Sequence, residues 1–505
     1  MATPTENLIP SIQNALFIVS PENEANEERE VVTRRKSWYK KISVEPIVFF
    51  FSLSYYLLEN AKKVMLFDKI CKIDLNYTNE VCDVLNEYHN QSLYEKIIFN
   101  VEKEVVDIIT TEEKCITICS LILAYFMGAF SDIYGRKIFI LVGLIGKLFY
   151  SFVLILISFI PCSSKYFLIT GTVPVSVIGY NLAIFIGCYS YLADITTVKE
   201  RTIRISILEG FRILSVPLAY VLNNYAFTYS TPLSYIKTFS FDFVLTFLFI
   251  IYAMLLLKPQ SNTSQKPLSE AKNHLFFEFF NLKHLLSIDK VLNVNKNKRN
   301  VVIKTTVILF LLYKMQAVEE FYLNKYALKN FLWDIENDVI FQIIIFSIMT
   351  FSVLVLLPFM IKILGFSNTT IWFIGIYFYI IARCLYVYNT TTLYIGEIIY
   401  SLAFFTYPII LSNISKTVNK SEQGRIFAFL HACALTSLLL GDLLYEAIFK
   451  ATDNIDKKRG HGIFSVSLLN HIISLGICFA LCYIKTKIQN MKRRKIIILS
   501  AVRTK

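Results

Sequence analysis

Long apolar runs, separated by short polar breaks, dominate the chain. They fall at roughly 44–66, 114–131, 138–160, 166–192, 205–226, 239–257, 301–323, 338–361, 370–387, 393–412, 425–449 and 463–484. Each is close to the roughly 20 residues that a helix needs to cross a bilayer. The pattern predicts an all-α polytopic membrane protein with twelve transmembrane helices in two six-helix bundles. The first run opens Val44-Glu45-Pro46, and a proline at a helix start loses no needed hydrogen bond. An even number of crossings puts both termini on one side.

The polar segments assign the sides. Residues 1–42 carry an acidic stretch (Glu22, Glu24, Glu27, Glu28, Glu30) followed by Arg34, Arg35, Lys36, Lys40 and Lys41. They hold no apolar core of the secretory kind, which predicts a cytoplasmic tail with the first helix as the targeting element. Segment 67–112 reads as a long acid-rich loop with Cys71, Cys82 and sequons at Asn76 and Asn90. Acidic excess, glycosylation sites and paired cysteines place it on the extracellular or lumenal side. A Cys71–Cys82 bridge is compatible with the sequence, which leaves connectivity open. Residues 43–257 then form the N-terminal bundle, 258–300 a cytoplasmic linker, 301–485 the C-terminal bundle and 486–505 a basic cytoplasmic tail. Lys199, Arg201, Arg204, Lys416, Lys420 and Arg425 fall on the cytoplasmic side, and Lys457-Lys458-Arg459 is the exception. A faint repeat sets Glu200-Arg201-Thr202-Ile203-Arg204 before span 5 and Glu422-Gln423-Gly424-Arg425 before span 11.

Composition narrows the function. Of 505 residues, 55% are hydrophobic and 18% charged, which excludes an ordinary soluble enzyme. A net charge of +13 would invite a nucleic-acid partner in a soluble protein. Here the lysines and arginines collect on loops of one side, so the basic balance belongs to the lipid bilayer and not to nucleic acid. The ten cysteines show no metal-type clustering. No nucleophile–base pair and no phosphate-cradling loop is visible, so neither enzyme, metal nor cofactor is expected.

Ionisable groups inside spans carry the remaining information, because each costs roughly 2.5–3.5 kcal/mol at mid-membrane. Glu209 and Arg212 are three apart on span 5 and share a face. Lys314, Glu319 and Glu320 on span 7 form a predicted cavity-facing stripe, and Glu397 on span 10 is a further cavity candidate. Arg383 on span 9 lies near the outer end and reads as a snorkelling side chain. Asp442 and Glu446 read as the lining of a solvated mouth, and His431 as a polar contact between helices. Between spans 2 and 3 stands Gly128-Ala-Phe-Ser-Asp132-Ile-Tyr-Gly135-Arg136-Lys137, read as a short charged loop. Its glycines allow close approach, Asp132 suits a helix N-terminus, and Arg136 can reach a carboxylate such as Asp194 at the end of span 4. Together these residues predict a cytoplasmic latch between the two bundles.

The G-x-x-x-D-x-x-G-R-K spacing resembles the loop between helices 2 and 3 of major facilitator superfamily transporters. With it stand Val44-Glu45-Pro46, Ala193-Asp194-Ile195, Arg201-Thr202-Ile203-Arg204, Leu208-Glu209, Trp333-Asp334, Ser415-Lys416 and Ser421-Glu422-Gln423-Gly424. This set is similar to the proton-coupled folate transporter and thymic stromal cotransporter family over about residues 43–485. The resemblance implies the major facilitator fold and a carrier that moves an organic solute, often anionic, with protons. It assigns proton coupling to Glu209 and sets His284 at a histidine position of the folate carrier. Thr172, Tyr180, Leu411, Met315 and Leu332 stand where the folate carrier has other residues, which argues against folate itself. The expectation is proton-coupled symport of a small organic, anionic, folate-like solute by alternating access. The setting is the plasma membrane or a lysosomal or endosomal membrane, and the oligomeric state is open. The alternative is a non-transporting receptor or scaffold.

Overall fold

The computed structural model describes residues 42–87, 95–225, 235–270, 275–293, 299–331, 338–386, 388–455 and 464–481, with 333 and 483. The main helices, in chain order, are α1 (Glu45–Lys69), α2 (Glu95–Tyr134), α3 (Lys137–Phe159), α4 (Lys165–Ile195), α5 (Arg201–Tyr225) and α6 (Tyr235–Leu256). After the linker come α7 (Arg299–Gln316), α8 (Val339–Lys362), α9 (Asn368–Leu385), α10 (Thr390–Thr417), α11 (Gln423–Ile455) and α12 (Phe464–Leu481). Among the described residues, ten helices are long and apolar enough to cross a membrane. The other two places in the order are taken by α1, with Glu59, Lys62 and Lys63 in its body, and α7, with Arg299, Lys304 and Lys314. Their charges, not their lengths, set them apart.

Local sequence explains the starts and the breaks. Pro46 sits in the first turn of α1. Ser367 caps α9 by accepting from the Thr370 amide, and Asn389 with Thr392 makes a reciprocal box at the start of α10. Three helices are irregular inside. A wide turn at Leu168–Thr172 and a left-handed Gly179 interrupt α4, a second wide turn at Ser352–Leu356 interrupts α8, and a tight turn at Ala403–Phe405 interrupts α10.

Two sequence expectations change here. The 67–112 segment is largely helical: Asn79–Glu87 forms a short helix, and α2 begins at Glu95. Val101, Val105, Ile108 and Glu112 form a buried stripe along that extension, so it packs as an amphipathic helix instead of looping through solvent. The seventh span does not run to residue 323. It stops at Gln316, turns at Ala317-Val318, and resumes as Glu319–Phe331. Lys314 and Glu320 therefore sit on separate helices, and Glu320 is exposed, so the predicted stripe is broken. The tails and Asn90 lie outside the described residues.

Helices α1–α6 precede the linker and α7–α12 follow it. Across the seam between the two sets, α2 packs along α11 and α5 along α8, with further contacts of α4 to α11 and α5 to α10. One buried cluster bridges both sets through residues such as Tyr189, Leu208, Phe310, Leu411 and Phe427. The outer surface keeps large apolar side chains exposed, including Phe152 on α3 and Phe247 and Leu255 on α6. So extensive an apolar exterior is stable only against lipid. This is a multi-pass membrane protein. Buried ion pairs join neighbouring helices: Lys62–Glu112 at 2.7 Å, Lys147–Asp242 at 3.3 Å, and Glu45 with Arg204.

Candidate functional site

Gly128 to Lys137 is mostly helix, not loop. Helix α2 continues through Tyr134, and Gly135 and Arg136 alone make the turn into α3. Gly135 has φ +105°, and a Cβ there would strike the Pro259 carbonyl oxygen, so only glycine fits. At Gly128 the need is different, because a Cβ would come within 2.6 Å of Ala428 Cβ and 2.9 Å of the Gly424 carbonyl oxygen on α11. The missing side chain is what lets α2 and α11 touch. Lys137 Nζ donates to the carbonyls of Met254 at 2.6 Å and Leu257 at 2.8 Å, closing the C-terminal end of α6.

The charged residues of this turn meet the opposite set of helices. Asp132 Oδ1 pairs with Arg136 at 2.6 Å and accepts the Gly424 amide at 2.8 Å. Its Oδ2 accepts the Arg425 amide at 3.1 Å and Arg425 Nε at 2.9 Å. A carboxylate thus sits on the first free N–H groups of α11, where the helix dipole favours negative charge. Arg136 is fully buried and reaches Asp194 at 3.0 Å, Ser131 Oγ at 2.8 Å and the Lys420 carbonyl at 3.3 Å. Asp194 also accepts from Ser261 and Gln265 of the linker. A second cross-seam cluster lies beside the first. Arg201 donates to the Ser415 carbonyl at 3.0 Å, and the Thr202 hydroxyl receives Lys416 Nζ at 2.6 Å and Asn368 Nδ2 at 3.1 Å. Within the second set, Arg299 pairs with Glu422 at 2.6 Å beside these contacts. This end of the seam is closed by polar contacts.

Farther along the seam a cavity of about 250 Å³ opens among α1, α4, α5 and α11. Phe51, Tyr55, Tyr56, Phe185 and Tyr189 supply rings, and Arg212 and His431 supply polar edges. Glu209 lies behind this wall with no exposed surface, receiving the Tyr189 hydroxyl and, at 2.7 Å, Arg212 Nε. The Arg212 side chain keeps about a third of its surface open, at 31%. Lys314 lies over the Tyr407 ring at 4.2 Å and within electrostatic range of Arg212, Glu209 and His431. The sequence-predicted Glu209, Arg212 and Lys314 are therefore brought together, while Glu320 and Glu397 lie apart from them.

A profile of the Major Facilitator Superfamily matches residues 114–434, more than half of the chain. The chain belongs to the Major Facilitator Superfamily. It is 21% identical to the proton-coupled folate transporter of Bos taurus over 343 residues, covering 66% of this chain and 70% of that one. Its fold is similar to the human organic anion transporter MFSD10 (TETRAN), with a TM-score of 0.65 at 14% identity, covering 88% of this chain and 100% of that one. The superfamily transporter FucP, solved in the outward conformation, matches with a TM-score of 0.59 at 10% identity, covering 88% and 99%. Superfamily membership makes the protein a membrane carrier and not an enzyme.

Other charges of this superfamily member take places that the sequence did not indicate. Arg383 does not snorkel. It is buried, pairs with Glu319 at 2.6 Å and donates to Ser467 and Tyr386 at 3.0 Å each. Tyr386 in turn donates to Glu397, so the carboxylate reserved for the cavity belongs to this internal network. His284 is buried in the linker with Nε2 at 3.0 Å from the Glu278 carbonyl. Asp442 accepts the Tyr322 hydroxyl at 3.0 Å, whereas Glu446 pairs with Lys450 on the exposed surface. At the opposite end of the bundle from Arg136, Cys71 and Cys82 are joined by a disulfide, beside an exposed Asn76 in a left-handed turn. Lys72 bonds Asp68 at 2.8 Å and Asp83 at 2.6 Å across this connection. Burial alone would lower the Lys72 ammonium, but these two hydrogen bonds outweigh it and raise it above the ordinary lysine value.

Proposed function

We propose that the protein is a secondary active transporter that moves a small organic anion together with protons by alternating access. The observation that carries this reading is the pair behind the cavity wall. Glu209 is buried and held by Arg212, while Arg212 itself faces the cavity. A substrate carboxylate that draws Arg212 toward itself leaves Glu209 as an uncompensated buried charge, and a proton neutralises it. Solute and proton then bind as a unit. The surrounding rings favour a planar solute, and Lys314, outside the cavity lining and over the Tyr407 ring, sets a further cation near the Glu209–Arg212 pair. A volume of about 250 Å³ is slightly below the ~300–1,000 Å³ common for small-molecule sites, so a solute as large as a folate needs further opening.

In this reading residues 43–257 and 301–485 are the two bodies that rock about the cavity. The Asp132, Arg136 and Asp194 network faces the cytoplasm with both termini, and the Cys71–Cys82 connection faces the exterior or a lumen. The closed polar end then makes this the outward-facing arrangement, with the Gly128–Lys137 segment as its latch. Uptake into proteoliposomes under an acid-outside gradient tests the coupling. Glu209→Gln should transport with no acid dependence, because the exchangeable proton site is gone. Wild-type pH dependence in that variant would refute the assignment.

A further inference from the structure

Helix α2 carries an apolar stripe at residues 118, 122, 126 and 130, four apart and so on one face. Ile118 and Ile122 are open, at 57% and 58% exposure, whereas Phe126 and Phe130 are buried. What covers the lower half of the stripe is the linker. The Phe280 ring lies 5.3 Å from Phe126, and Phe279 lies 5.6 Å from Phe130. Phe126 precedes the end of α2 by eight residues, which is about 12 Å of helix. The linker therefore runs beside α2, at the level of its last turns, and not beyond its end.

Beyond these contacts the segment leaves large apolar side chains uncovered. Phe276, Phe277, Leu282 and Leu286 point outward at 67–70% exposure. The other face of the Lys283–Leu292 helix is buried through His284 and Val291, and it packs on α2, α7 and α11. One side is thus fixed to the seam between the two helix sets, and the open side carries Leu282 and Leu286 with Asp289 and Lys290 toward its end, after the exposed Phe276 and Phe277. Lys283 and Lys290 are offset by Glu278 and Asp289, so charge gives no net attraction to acidic lipid.

We propose that residues 275–292 form an interfacial membrane anchor, with Phe276, Phe277, Leu282 and Leu286 inserted into the leaflet beside α2. Amphipathic helices of this kind lie in the interface plane with their apolar face some 5–10 Å into the boundary of the acyl region. The inference rests on the membrane topology and is independent of what is transported. It is tested with the full chain in phosphatidylcholine vesicles, using Phe277→Trp and, separately, Leu286→Trp, with the emission of the unsubstituted protein subtracted. Lipids brominated along the acyl chain should abolish most of the added emission, and aqueous iodide should leave it nearly unchanged. Quenching by iodide instead would put the face in water. Protection from both quenchers would put it under protein, a second copy or a partner. Either result overturns the anchor, and two probe positions guard against one that perturbs folding.

Discussion

Asp132 is the place to test whether the polar end of the seam sets the balance between conformations. Three of its contacts cross from one helix set to the other: the amides of Gly424 and Arg425 at 2.8 and 3.1 Å, and Arg425 Nε at 2.9 Å. Hydrogen bonds to a charged group contribute about 1.5–3 kcal/mol each. Asp132→Asn keeps one carbonyl oxygen and removes the charge, so the closed end loses about 3 kcal/mol, which is on the order of 100-fold in the equilibrium. Arg136 keeps Asp194 and Ser131 and is not left bare, so the fold should survive. Spin labels at Ile195 and Ile363, both exposed and on opposite helix sets, read the separation of this end by pulsed electron resonance once the accessible cysteines are replaced. The short-distance population should fall in Asp132→Asn. Adding Arg425→Gln should change little more, because the cross-seam contact of its side chain is the one to Asp132. An unchanged distance distribution, or fully additive effects of the two substitutions, would refute the reasoning.

Gly128→Val should force α2 and α11 apart, since even a Cβ would meet Ala428 at 2.6 Å; overpacking of this kind costs ~1–3 kcal/mol, and the same spin-label pair should report a wider distribution. Arg383→Leu leaves Glu319 buried without its cation and should lower stability by about 3–5 kcal/mol in thermal unfolding in detergent. Arg383→Leu with Glu319→Leu should recover most of that loss, and a double variant as unstable as the single would exclude an ion-pair explanation. Cys71→Ser opens a covalent loop with a sequence separation of 11, worth about 3 kcal/mol by the chain-entropy estimate, and its melting point should match that of the wild type under reductant.

The spans were legible because lipid demands long apolar runs whatever the tertiary arrangement, and the Gly128–Lys137 spacing was legible because a two-residue turn between packed helices tolerates few residues. Partner choice was less so. Asp132 is visible as a carboxylate near a helix end, but its bonds to α11 span 292 and 293 residues of chain, and local spacing carries no such information. The repeat ending in Arg425 was the available signal. Arg383 departs from the snorkelling expectation because nearness to a span end implies snorkelling only for a helix face that meets lipid, and this face of α9 turns toward Glu319 and Ser467. In the α2 extension the signal was present. Val101, Val105 and Ile108 keep helical spacing, but the acidic residues between them lower the average apolarity below that of a span.

The membrane-embedded charges divide by what they can exchange. Lys62–Glu112, Lys147–Asp242 and Glu319–Arg383 lie almost wholly inside, with both partners at 3% exposure or less. For such pairs removing one partner strands a buried charge, so they fix helices within each set. Arg212 differs: its counter-ion is buried at 0%, but the arginine is open at 31% and borders the cavity. In the proposed cycle, a cation with one side still available is the one that can trade its carboxylate for that of a solute. The seam contacts at Asp132 and Arg201 differ again, because their acceptors and donors include backbone groups of the opposite helix set, which are satisfied by water once the halves separate. Opening that end therefore replaces bonds instead of stranding charges, which is the condition for two arrangements of comparable free energy. The division follows from burial and partner type, and under the proposed cycle it would give rigidity, binding and switching to three separate groups of charged residues.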